Sequence, residues 1–217
     1  VLSVLDKLLP RRVLSEMCIT GEPITAAQAL AYGLVNHLRE DLDDAGNDED
    51  IAAIYTSDLS RARATAQAIA DHNANPAARQ VHPHTGLRER GFGIFEGQTY
   101  AQINLDWPEE SRRWRQRDPH FAPQGGETLT QLRERVSATV NALASQHVGE
   151  QIVLVAHGGV MDALYRLATH VAIDAPRSWD LGNAAINRLL WTPDGLTLVG
   201  WSDTRHLDDA TLDETSA

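Results

Sequence analysis

Hydrophobic positions along this chain fall into runs of two periods. Ile51-Ala-Ala-Ile-Tyr-Thr56 and Ile152-Val-Leu-Val155 are short, nearly unbroken apolar segments. Strands are predicted over Ile51 to Ser57 and over Ile152 to Val155, the second suited to cover on both faces within a parallel sheet. Between them Leu129, Leu132, Val136, Val140 and Leu143 recur at intervals of three and four, which predicts a helix with one buried stripe. Thr128 and Gln131 are placed to form a capping box at its start. A second helix is expected from Ser57 to about Ala70, with the small side chains of Ala62, Ala66 and Ile69 close against a sheet. A third begins near Val160, and a fourth is read over Ile24 to Val35, with Thr25 as N-cap. Gln80 to His84 is a short extended stretch. Tyr100 to about Arg117 is a mostly helical excursion broken by Pro108. Strands over 184–190 and 196–201 are joined through Trp191-Thr-Pro-Asp-Gly195, a hairpin signal. No internal repeat is apparent.

Composition narrows the class. A chain of 217 residues, 42% hydrophobic, suits one main domain of ordinary size with appendages. It has no apolar run of membrane-spanning length, and its first residues lack the order of a secretory signal, so a cytoplasmic protein is expected. A net charge of -11 argues against nucleic-acid and acidic-membrane partners, because the mean field repels polyanions. Any anionic ligand therefore needs a local basic pocket. The single cysteine, Cys18, excludes an internal disulfide and a cysteine-based zinc site.

Candidate chemistry gathers at strand ends. The apolar run ending at Val155 delivers His157 to the carboxyl end of its strand, and Gly158-Gly159 lead into the following helix. Ligands of open α/β sheets sit there, beside helix N-termini whose free N–H groups favour anions. A histidine at this place suits phosphate chemistry, or it simply caps the helix. Arg61 lies in the first turn of its helix, where a cation opposes the helix dipole at a cost of about 0.3–1 kcal/mol and so hints at a use for the charge. Glu89 stands in the glycine-punctuated loop Leu87-Arg-Glu-Arg-Gly-Phe-Gly-Ile-Phe-Glu-Gly97. His82 and His84 read as a solvated pair. Arg112, Arg113, Arg115 and Arg117 are either a basic lid over an anion or the polar face of an amphipathic helix.

Taken together, "TSDLSRARATA", "LRERGFGIFEG", "PQGGET", "VLVAHGGV" and "LGNAAINRL" resemble the histidine phosphatase (phosphoglycerate mutase-like) superfamily from about Asp50 to His206. The resemblance implies an α/β fold, a three-layer αβα sandwich with a mostly parallel central sheet and a C-terminal antiparallel hairpin. It implies phosphoryl transfer through a phosphohistidine, with no cofactor and no metal. Glu89 and His157 become the catalytic candidates: the proton donor to the leaving oxygen, and a protonated second histidine beside the phosphate. Arg61 and, with lower specificity, Asn183 become substrate-binding candidates, and the Gly126-Glu127-Thr128 turn lies near the pocket. The expected partner is a small phosphorylated substrate or phosphate; a dimer is compatible.

The family's opening Arg-His-Gly motif, whose histidine is the nucleophile, has no counterpart in this chain. The only Arg-His pair is Arg205-His206, within a C-terminal stretch that is itself family-like. Where the motif belongs, residues about 15–37, "TGEPITAAQALAYGLVN" included, resemble a fragment of the crotonase (enoyl-CoA hydratase) family. The expected organisation is a crotonase-like segment over 1–40, an acidic linker over 41–50, the phosphatase-like domain over 51–206 and an acidic tail over 207–217. Turnover is expected to be impaired or lost. The rival readings are a non-catalytic phosphate-binding or interaction module and, more remotely, enoyl-CoA hydratase-related chemistry. Loss of the family's first strand would also leave strand edges unpaired, for Val13 to Thr20 or a second chain to fill.

Overall fold

The structure is a computed structural model describing residues 51–208 apart from Ala74. The expected helix over 24–35, the crotonase-like segment and the acidic linker lie outside the described residues, as does most of the acidic tail.

Strand β1 (Ile51–Thr56) is the centre of a parallel sheet in the order β2-β1-β3, with β2 spanning Val81–Pro83 and β3 Gln151–Val155. Tyr55 stands level with His82 on one side and Leu154 on the other. Side chains of a strand alternate between faces, and here each face meets its own helix layer. Ile51, Ile54, Val153 and Val155 pack against Ala66 and Ala70 of α1 (Ser60–His72). Leu154 packs instead with Val136 and Val140 of α4 (Leu129–Ala144) and Val160 and Leu164 of α5 (Gly158–Thr169). The result is the expected three-layer sandwich. The antiparallel hairpin, β4 (Ile186–Thr192) and β5 (Gly195–Asp203), forms its own two-stranded sheet, and Leu189 and Leu196 join the same α4/α5 cluster as Leu154.

Several expectations shift. β1, hydrogen-bonded on both edges, buries Ile51, Ala53, Ile54 and Thr56, whereas β3 is only half-buried from Ile152 to Val155. β3 is covered on both faces as expected, by α1 on one and by α4 and α5 on the other, but among the described residues it pairs with β1 alone, which leaves its second edge unpaired there. Helix α1 begins at Ser60 rather than Ser57, since the Ser57 N–H is bonded to the Val155 carbonyl at the strand end. The capping box at Thr128 is present with both of its hydrogen bonds.

The excursion folds as α2 (Tyr100–Asp106) and α3 (Pro108–Arg115), with Pro108 in the first turn of α3, where its missing N–H costs nothing. Phe95, Ile103 and Phe121 form a small separate core with Trp107 and Trp114 packed against it. Arg112 pairs with Glu109 and Arg113 with Asp118 inside the excursion, and Arg117 reaches Asp162 on α5. The basic-lid alternative therefore gives way to the amphipathic one. The described residues end in the short helix α6 (Arg205–Asp208).

Candidate functional site

The carboxyl ends of β1 and β3 are tied together: Ser57 N–H donates to Val155 O at 2.9 Å, and the Thr56 hydroxyl donates to the same carbonyl at 3.4 Å. The N-termini of α1 and α5 open beside this joint, so one rim of the sheet carries Arg61 on the first turn of α1 and His157 at the N-cap of α5.

His157 is 8% exposed, and its Nε2 has no hydrogen-bond partner. Its pKa is lowered to about 4, first by burial, then by the charges of Arg61 and Arg135, with Asp58 opposing. Burial and two nearby cations favour the neutral ring here, whereas the protonated form is the one expected beside a phosphoryl dianion. The arrangement leaves local positive charge beside a neutral imidazole with a free nitrogen. The Arg61 guanidinium has no hydrogen-bond or ion-pair partner among the described residues.

Glu89 reaches the first turn of α5 from the opposite loop. Gly159 N–H donates to both of its carboxylate oxygens at 3.1 Å, and Arg90 N–H donates to Oε1 at 2.7 Å. The first N–H groups of a helix have no partner within it, so a carboxylate there satisfies a donor and complements the dipole. This contact explains one glycine. A Cβ on residue 159 would stand 2.3 Å from Glu89 Oε1, so any other residue would expel the carboxylate.

The loop carrying Glu89 is tethered along its length. Arg88 makes a paired contact with Asp58, which holds the Asp58 carboxyl below its ordinary range chiefly through the hydrogen bond from Arg88. Arg90, mostly buried, donates to the carbonyls of Glu127 and Phe121. His84 is half-buried and accepts the Gly86 N–H through Nδ1, while His82 lies against the Tyr55 ring. They are structural rather than the solvated pair expected. A cleft of about 860 Å³ runs beside the loop, lined by Arg88, Glu89, Glu127, Gln131, Glu134 and Arg135 among others. His157 and Arg61 do not line it.

Arg61, Glu89 and His157, far apart in sequence, thus lie at the N-termini of two neighbouring helices on one rim. Asn183 is exposed in the turn before β4, and no contact ties it to them. Arg135, Asp58 and Glu127 escaped the sequence reading as site residues, except for the Gly126-Glu127-Thr128 turn. Arg135 sits inside a strongly periodic helix where an arginine carries no signal, and its partners are non-local.

The class defined by this sheet, its helix layers and its hairpin is a mostly parallel α/β domain with a histidine at a strand-to-helix turn. A family profile described as histidine phosphatase superfamily (branch 1) matches residues 38–204, and the chain belongs to that superfamily. Phosphoglycerate mutase-like protein 4 of Arabidopsis thaliana is 32% identical over 80% of this chain and 79% of its own length. Glucosyl-3-phosphoglycerate phosphatase of Mycolicibacterium vanbaalenii is 32% identical over 68% of this chain and 72% of its own. Among solved structures, a mycobacterial glucosyl-3-phosphoglycerate phosphatase in complex with VO3 superimposes with a TM-score of 0.61 at 29% identity, covering 71% of this chain and 78% of that one. The crotonase likeness of residues about 15–37 is not borne out; it precedes the matched span. No helix among the described residues is long and apolar enough to cross a membrane, and no group of three or more His, Cys, Asp or Glu there could hold a metal ion.

Proposed function

We propose that the domain over 51–206 handles small phosphomonoesters, phosphoglycerate derivatives being the first class to test, with a phosphatase-type site whose covalent step is crippled in this chain. Arg61 and His157 grip the phosphoryl oxygens, and Glu89 passes a proton to the leaving alkoxide oxygen. The observation that carries the reading is that, among the described residues, an arginine without a side-chain partner and a buried imidazole nitrogen without one stand together at one sheet rim. A dianion there would supply both missing partners in a single group. In low dielectric its charge would offset the two cations that now hold His157 neutral, drawing a proton onto the ring as phosphate binds.

Relatives named as phosphatases support phosphoester chemistry. The superfamily resemblance supplies the covalent step, attack on phosphorus by the histidine of an Arg-His-Gly motif followed by hydrolysis of the phosphohistidine. This chain has no such motif, and removal of a nucleophile commonly lowers rate by several orders of magnitude. That observation also favours the second reading, a phosphate-binding module without turnover.

Hydrolysis of p-nitrophenyl phosphate, 3-phosphoglycerate and glucosyl-3-phosphoglycerate, with His157→Ala as control, tests the reading. Slow phosphate release that disappears in the variant supports it, and release indifferent to His157 refutes it. Inorganic phosphate raising the unfolding temperature of wild type but not of His157→Ala, with no ester hydrolysed, selects the binding module. Rapid turnover with a trapped phosphohistidine would overturn the claim of a crippled covalent step.

A further inference from the structure

Arg135 projects from α4 toward the loop that bears Glu89 and is bonded both to the backbone leading into that loop and to Glu127. Its Nε and Nη2 donate in a fork to the two carboxylate oxygens of Glu127, at 2.8 and 2.7 Å. Its Nη1 donates to the carbonyls of Gly86 and Arg88, at 2.8 and 3.0 Å. The Arg88 carbonyl belongs to the same peptide plane as the Glu89 N–H, so holding that oxygen fixes the direction in which the Glu89 side chain leaves the backbone. Glu127 extends the tether to the far side of Glu89, since its N–H donates to Gly91 O at 2.8 Å and its carbonyl accepts from Arg90 at 2.8 Å.

We propose that Arg135 is a positioning residue: with Glu127 it clamps the backbone on both sides of Glu89 so that the carboxylate meets the first turn of α5, a role whose catalytic meaning rests on the function proposed above. The geometry calls for arginine specifically. A forked, planar guanidinium satisfies a carboxylate and two carbonyls at once, whereas a lysine ammonium at the same place supplies the charge without the fork.

The backbone N–H of Gly159 reports on this directly. It lies in the first turn of α5, where no intrahelical acceptor exists, and the Glu89 carboxylate is its acceptor. Its protection from hydrogen exchange therefore measures how well Glu89 is held. The experiment compares amide exchange at Gly159 and at Leu164, deeper in the same helix, for wild type, Arg135→Lys, Arg135→Ala, Glu127→Gln and Glu89→Ala. Glu89→Ala fixes the value for complete loss.

The expected result is faster exchange at Gly159 by about tenfold or more in Arg135→Ala, the scale of one lost charge-assisted hydrogen bond, with Leu164 little changed. Glu127→Gln and Arg135→Lys move the same way by less, which keeps the test decisive should Arg135→Ala fail to fold. Unaltered protection of Gly159 in the Arg135 variants overturns the proposal. So does an equal loss at Gly159 and Leu164, which marks general destabilisation, and so does full retention in Arg135→Lys, which reduces the effect to charge. Exchange requires no turnover, so a chain that hydrolyses nothing still decides this point, while failure of the phosphatase reading shows separately as hydrolysis or phosphate binding indifferent to His157.

Discussion

Helix α5 carries an arginine-rich cluster near each end, and the two are built on opposite principles. Toward its C-terminal end, Arg166 is wholly buried and donates to Asp162 at 3.0 Å, Arg117 donates to the same carboxylate oxygen at 2.8 Å, and the Arg166 guanidinium lies 4.6 Å from the Trp179 ring centroid. Arg166 also donates to the Ala172 carbonyl. At the other end, Arg61 and Arg135 flank a neutral His157, and Arg61 has no carboxylate partner among the described residues. The first cluster is closed around a shared acid, whereas in the second Arg135 is forked to Glu127 and Arg61 has no ion-pair partner among the described residues. A buried arginine with an internal acid closes the fold; an exposed one without an acid, at a strand end beside helix N-termini, is suited to an anion from outside. Pairing inside the rear cluster is incomplete, since Asp162 Oδ1 and Arg166 Nη2 lack partners. A polar network buried with loose ends has more to lose when its one acid is removed.

The largest expected effect therefore lies away from the proposed chemistry. Asp162→Asn keeps the shape of the side chain but leaves Arg166 buried without a counter-charge. Loss of one partner from a buried pair costs about 3–5 kcal/mol, to be read as a shift in urea-unfolding free energy at constant slope. A cost under about 1 kcal/mol, the range of exposed ion pairs, would erase the distinction between the two clusters.

A smaller effect belongs to His157 and depends on pH. Its folded pKa of about 4 lies below the ordinary value of 6.5, so between these values the unfolded chain binds the proton and the folded chain does not. Stability from this residue is complete above about pH 6.5 and is lost as pH falls toward about 4. The full loss is on the order of 2–3 kcal/mol. Urea titrations of wild type and His157→Gln across this range isolate the contribution, and the two curves should converge as pH falls. Parallel curves would mean that the ring is not held neutral. Saturating phosphate should flatten the wild-type slope, because a bound dianion favours the charged ring.

What the sequence made legible follows the range of the interactions. Thr128 and Gln131 announce α4 because a capping box is closed within four residues, and Val155 through Gly159 announce a strand-to-helix turn for the same reason. Arg61 and Glu89 were legible through motif resemblance, since their meeting with α5 spans many residues. The protonation state of His157 was not legible, because it is set first by burial and then by the charges of Arg61 and Arg135, which only the fold brings beside it. Arg135 itself was hidden: its partners Gly86 and Arg88 lie 49 and 47 residues away. The apolar run of β3 made the coverage of both its faces legible, while the neighbour on its second edge is a matter of topology.

The sharpest version of the comparison is also its smallest effect on stability. Arg61 is exposed and has no partner among the described residues, so Arg61→Ala should change unfolding free energy by no more than about 0.5 kcal/mol. Relief of the unfavourable charge at the start of α1 gives that change a slightly stabilising sign. A residue that contributes so little to the fold can still carry much of the ligand response. In the variant, the rise in unfolding temperature produced by inorganic phosphate should largely vanish, and the His157 pKa should rise because one of the cations depressing it is gone. Loss of stability comparable to Asp162→Asn would make Arg61 a structural arginine after all. An undiminished response to phosphate would place the anion elsewhere, and with it the function proposed for this rim.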